Sequence, residues 1–184
     1  MEIKITTRQI LNVLKVLTWV LFIGLCVQAG GIIFSTLSSA FITPNVAASF
    51  WEGTNLGALY AYDRGYYFAL AAISSIVSVL KAVLFYIILR LFTQETLRLE
   101  RPFTGQLARF MLHATGLTAG IGFFCYYGAG FVEWLAGKGV NMPDTKALYM
   151  DGADVWLLMA VVLFVTGQLI KRGIELQEEN DLTV

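Results

Sequence analysis

The residue with the most chemistry to account for is Lys81, set in the apolar run ALAAISSIVSVLKAVLFYIILR that ends at Arg90. On a helix rising about 1.5 Å per residue, Lys81 lies roughly 13 Å from that flank. A charged lysine at such depth in hydrocarbon costs at least about 2.5 kcal/mol, so a buried partner or water is expected beside it. No Asp or Glu occupies a matching depth in the other apolar runs. Counting inward from Lys15, Arg109 and Lys171 brings Cys26, Gln28, Thr115 and Thr118 to its level. The candidate intramembrane polar site is therefore Lys81 with Gln28, Thr115 and Thr118, a set that offers hydrogen bonds without a counter-charge. Two roles fit it: a structural lysine bonded to carbonyls or hydroxyls, or a lysine lining a polar cavity for an anionic headgroup or solute. Proton transfer fits less well, because relays string several ionisable groups together and this lysine stands alone.

Other reactive side chains are sparse. His113 is the single histidine, so bis-histidine haem ligation is excluded, and no Cys/His/carboxylate cluster has zinc-ligand spacing. It falls one turn beyond Arg109, where an interfacial hydrogen-bonding role is expected. Cys26 and Cys125 have no CxxC partner and read as small buried hydrophobes. Phosphate-loop, nucleophile-elbow and zinc-protease motifs do not occur, and paired intramembrane carboxylates are missing. The sequence assigns no catalytic residue, no cofactor and no metal, and predicts a protein that is not an enzyme.

A membrane-type chain must position these residues. Of 184 residues, 57% are hydrophobic and only 14% charged. Soluble domains carry about a quarter charged residues, so the composition points to an integral membrane protein whose first partner is the lipid bilayer. Net charge is zero, which leaves no global field to steer nucleic acid; no direct nucleic-acid binding is expected. Lys4, Arg8 and Lys15 precede an apolar stretch far longer than a signal-peptide core, which predicts an uncleaved anchor.

The expected fold is all-α: one polytopic membrane domain, 1–184, built as a four-helix transmembrane bundle. Its helices are placed at about 11–41, 66–92, 107–132 and 155–170, with a cytoplasmic tail at 171–184. Lys4, Arg8, Lys15, Arg90, Arg98, Arg101, Arg109, Lys171 and Arg172 flank one side, against Arg64, Lys138 and Lys146 on the other. Positive-inside bias therefore puts both termini in the cytoplasm. Aromatics such as Trp51, Tyr66, Trp134, Tyr149 and Trp156 fall at the outer boundary as an interfacial belt. Thr104 is expected to cap the third helix, and Asp151 or Asp154 the fourth. Gly116 and Gly120, Ser74 and Ser78, and Gly31, Ser35 and Ser39 recur at small-residue spacing. They are expected to pack helices within the bundle, with homo-oligomerisation through Gly116 and Gly120 as the other use.

Two stretches on the cytoplasmic side carry a resemblance. The linker reads LRLERPFTGQLARF and the chain ends GIELQEENDLTV. A Pro-Phe motif opening the third helix, with a terminal Glu-Asn-Asp-Leu-Thr-aliphatic signature, resembles an uncharacterised family of four-helix bacterial inner-membrane proteins of unknown function. The resemblance implies the bacterial cytoplasmic membrane and no established activity. Many members are encoded beside a small helix-turn-helix regulator, which implies a cytoplasmic protein partner of that kind.

On the residues themselves, a docking site is expected where the tail acids Glu178, Glu179 and Asp181 face Arg98, Arg101 and Arg109. Leu182 or Val184 would then cover Phe103. Exposed ion pairs contribute only about 0–1 kcal/mol each, so the apolar contact has to carry part of the closure. The expected function is that of a regulatory or interaction component acting through linker and tail. The alternative is a transporter-like or lipid- or solute-binding protein with its cavity at Lys81.

Overall fold

The computed structural model describes residues 7–41, 50–93 and 104–181. Among them the chain is helical, with no strand: α1 (Thr7–Phe41), a 3-10 turn (Trp51–Gly53), α2 (Gly57–Tyr62), α3 (Arg64–Thr93), α4 (Gly105–Gly137) and α5 (Ala153–Asp181). Three helices, α1, α3 and α5, are long and apolar enough to cross a membrane. The third predicted segment departs from expectation. It forms α4, 33 residues long, but glycines, threonines, His113 and tyrosines dilute its aliphatic residues. Its buried positions include Ala114, Thr118, Gly122, Cys125 and Gly128, small residues spaced three to four apart on the face that meets its neighbours. Close helix approach replaces side-chain bulk there.

Neighbouring long helices run antiparallel. Gln28 faces Ser78, Ser39 faces Tyr67 and Phe22 faces Tyr86 between α1 and α3. Leu80 lies against Gly120, and Ile73 against Gly128, between α3 and α4; Leu157 meets Gly122, and Met111 meets Gly167, between α4 and α5. The start of α1, the end of α3, the start of α4 and the end of α5 therefore share one side. Among the described residues, long-helix backbones approach each other only in the series α1–α3–α4–α5. The helices form an open row in the order α1–α3–α4–α5, where the sequence suggested a four-helix bundle. Lipid is as apolar as leucine, so nothing drives α1 to cover its second face. Only 6% of its most apolar window is buried.

Helix ends follow local chemistry. Thr104 caps α4 as expected, its hydroxyl accepting from the Leu107 N–H at 3.3 Å. Asp63, in extended conformation between α2 and α3, accepts from the Tyr66 N–H at 2.9 Å and so starts α3. At the far end of α4, Gly139 takes φ +83°, Gly139 N–H donates to Ala136 and Val140 N–H to Leu135. This is a Schellman closure, with Val140 and Leu135 both buried in the hydrophobic contact that accompanies it. Asp154 sits in the first turn of α5, where the helix dipole favours a carboxylate. The other end of α5 does not stop at Ile170: the helix runs on through Asp181, so most of the expected tail is helix.

The 50–56 and 138–152 segments, at the end of the row opposite the start of α1, fold back against it. Trp51 packs so closely on Gly31 that a Cβ there would overlap its ring. Gly31 lies eight residues before Ser39, about 12 Å further from the C-terminal end of α1. On the other connection, Leu148 and Met150 are fully buried, with Met150 wedged against Ser74, Ile73 and Gly128. The hydrophobic core, including Leu59, Tyr67, Leu70, Ile121 and Leu135, gathers at this end of the row.

Candidate functional site

Lys81 sits midway along α3, half-buried. Side chains on a helix lean toward its N-terminus, which for α3 is the outer end. The ammonium therefore extends away from Arg90 and meets the descending 138–152 segment. It donates to the Tyr149 carbonyl at 2.8 Å and stands 5.5 Å from the centre of the Trp156 ring. Cys125 and Asp151 are near enough to act on its charge. Asp151 is exposed and lies outside the apolar runs in which the sequence reading sought a counter-charge. It comes from the 138–152 segment, which counting along helices could not place.

The companions expected for Lys81 are engaged elsewhere. Gln28 donates to Ser78 at 3.4 Å across the α1–α3 contact. Thr115 and Thr118 return their hydroxyls to the Met111 and Ala114 carbonyls of their own helix. Equal depth did not bond these residues to Lys81; each is bonded elsewhere. Cys125 is buried as expected, whereas Cys26 is exposed on α1.

Tyr149 does more than accept from Lys81. Its backbone adopts φ +58°, and its phenol donates to the Glu52 carboxylate, whose own backbone has φ +55°. These are the two non-glycine residues in the left-handed region among the described residues. Such conformations cost roughly 1–3 kcal/mol each and persist only where surrounding contacts impose them. Here the 3-10 turn and the 144–150 turn impose them on each other, and Thr54 adds a bond to the Ala147 carbonyl at 3.3 Å. Burial, followed by the hydrogen bond to Glu52, pushes the Tyr149 phenol up to about 12. Sequence placed Tyr149 in the aromatic belt and missed Glu52; no local signal marks a left-handed non-glycine residue.

At the opposite end, Arg90 in the last turn of α3 and Arg109 near the start of α4 line one cavity of about 290 Å³ with Gln106, Phe110 and His113. Arg109 donates to the Gly105 carbonyl of its own helix at 3.4 Å. On α5, Arg172 pairs with Glu175 at 2.7 Å, and Glu178 and Glu179 are exposed. Asp181 closes the helix. Arg98, Arg101, Phe103, Leu182 and Val184, the remaining members of the expected docking site, lie outside the described residues. Gly116 has nothing within 4 Å of where a Cβ would stand, and Gly120 makes an ordinary contact with Leu80. The tight approaches on α4 are at Gly122 and Gly128.

No curated protein and no solved structure matches the chain. The matching family, described as "Protein of unknown function (DUF2975)", takes in residues 38–184, from the end of α1 through α5. The chain belongs to the DUF2975 family.

Proposed function

We propose that this DUF2975 protein is a non-enzymatic multi-pass membrane component that acts by interaction on the side where both its helical ends lie. One observation carries the reading: α5 continues unbroken through Asp181. IELQEEND is then a helical arm reaching about 16 Å past Ile170. Exposed Glu175, Glu178 and Glu179 and the 52% exposed Leu176 line that arm. An acidic helix with an apolar residue on its surface suits docking to a soluble protein. The opposite side is closed by two connections held together through Tyr149, Glu52 and Lys81. With its ammonium engaged by a carbonyl and an aromatic ring, Lys81 has a structural task, and no solute need be invoked for it.

In this reading α4 crosses as a fourth helix between α3 and α5, and the positive-inside rule puts the arm in the cytoplasm of a bacterial cell. A helix-turn-helix regulator is the partner that the family resemblance suggests. The test is a photo-crosslinker at Leu176 in native membranes. Capture of a soluble protein, abolished by Glu178→Lys with Glu179→Lys, supports the reading. Capture of lipid alone, or of the chain's own 94–103 linker, counts against it, the second outcome showing a tail that closes on itself.

A further inference from the structure

We propose that the cavity between the inner ends of α3 and α4 binds a phosphate-bearing anion, and that this anion is the headgroup of a phospholipid. Arg90 and Arg109, both exposed, project from separate helices onto this one space of about 290 Å³. His113 and Gln106 complete its polar lining, and among the described residues no carboxylate lines it. Several other cations among the described residues are matched: Arg172 by Glu175, Arg64 and Lys138 by the rings of Tyr60 and Trp134, Lys81 by the Tyr149 carbonyl. Among the described residues, the side chains of Arg90, Gln106 and His113 make no hydrogen bond, and Arg109 makes only its long one to Gly105.

Two guanidiniums sharing a small space repel each other, and an anion between them reverses the sign of that interaction. Guanidinium forks match phosphate oxygens two at a time, and an imidazole and an amide supply further donors. The remaining wall, including Ile87 and Phe110, is apolar. A soluble anion gains nothing from that wall; a glycerophospholipid lays its glycerol and first methylenes on it. The volume suits a phosphate with its glycerol, at the lower limit of about 300 Å³ for ligand pockets, and leaves the acyl chains to run outside along the helices. Basic pockets between membrane helices near the cytoplasmic surface recognise anionic headgroups by this chemistry.

Native mass spectrometry of the full-length protein, purified in neutral detergent and titrated with phosphatidylglycerol or phosphatidylcholine, provides the test. The expected result is preferential retention of one phosphatidylglycerol, with affinity falling roughly thirtyfold in Arg90→Gln with Arg109→Gln. Lys138→Gln with Lys146→Gln, outside the cavity, leaves retention unchanged. His113→Glu, which sets a carboxylate in the cavity, tests the same point by repulsion if the double arginine variant does not fold. Displacement of the lipid by millimolar inorganic phosphate would identify free phosphate as a source of the same chemistry; no displacement identifies the headgroup. Equal retention of both lipids, or phosphatidylglycerol binding unchanged by Arg90→Gln with Arg109→Gln and by His113→Glu, overturns the proposal.

Discussion

Tyr149 donates its phenolic proton to Glu52 across 97 positions of sequence, and both residues hold left-handed backbones. The bond joins the connection after α1 to the connection before α5, so it fastens the first half of the helix row to the second. It also ties these connections to the middle of α3, because the Tyr149 carbonyl takes its hydrogen bond from Lys81. One residue thus satisfies an intramembrane lysine with its backbone and an exposed carboxylate with its side chain.

That arrangement has a pH signature. The phenol is raised from 10.0 to about 12 in the folded protein, mainly by burial and then by its bond to Glu52. A raised folded value means that the contribution to stability is complete below pH 10 and is lost as pH climbs toward 12. Tyrosinate absorbance of the folded protein should therefore show the Tyr149 phenol titrating late. Glu52→Gln should bring that phenol's titration earlier, and Tyr149→Phe should remove one phenol's worth of late amplitude. A late transition unchanged in Tyr149→Phe would assign it to another tyrosine.

Lys81→Met separates the lysine's stem from its charge. Losing the donor leaves the Tyr149 carbonyl unpaired at about 1–3 kcal/mol, while removing an intramembrane charge returns at least about 2.5 kcal/mol on insertion scales. Global stability should therefore change little, because the two terms oppose each other. The local effect has one sign only: the 138–152 segment loses its tether. Trypsin cleavage at Lys146 should accelerate several-fold while helix content stays constant. Cleavage at the parental rate would show that Met150 and the Tyr149–Glu52 bond hold the segment without Lys81.

How much of this was legible depends on which force acts. Lipid demands continuous helix, so the spans around α1 and α3 were readable to within a few residues, and Thr104 announced its cap. The direction of Lys81 was also readable, since side chains lean to the helix N-terminus; measuring depth only from Arg90 obscured it. Re-entry of the two connections was not. It rests on a hole at Gly128 that accepts Met150 and a flat stretch at Gly31 that accepts Trp51, and complementarity between distant residues has no local pattern. The helical arm was missed for another reason: IELQEEND is too polar to read as membrane helix, though its Glu and Gln are good helix formers.

Glycines on α4 should divide sharply. At Gly122 a methyl would lie 2.8 Å from Leu157 Cγ and 3.1 Å from its backbone nitrogen, so α5 itself must move. Gly122→Ala is expected to cost about 1–3 kcal/mol as overpacking. Gly116 has open space around it, and Gly116→Ala should be neutral or stabilising by up to about 1 kcal/mol from helix propensity. Thermal denaturation in detergent compares the two directly. Gly116→Ile tests whether that open strip, with Gly120, serves a second copy of the chain: a fall in oligomer population at unchanged stability would establish that use.

Gln177→Pro asks whether the arm acts as a helix. Proline in a helix interior removes a hydrogen bond and clashes with the preceding turn, costing about 3 kcal/mol. At this position the damage is confined to the last turns of α5, beyond Ile170 and the apolar stretch that packs on α4. Membrane insertion and melting temperature should be unchanged, while spin labels at Leu176 and Glu179 gain mobility. If the arm docks as a helix, crosslinking from Leu176 to a soluble partner is lost although every acidic residue remains. If the acids act only as charge, crosslinking survives the proline and disappears in Glu178→Lys with Glu179→Lys. The pair of variants thus separates recognition of a shaped surface from attraction to a charged one.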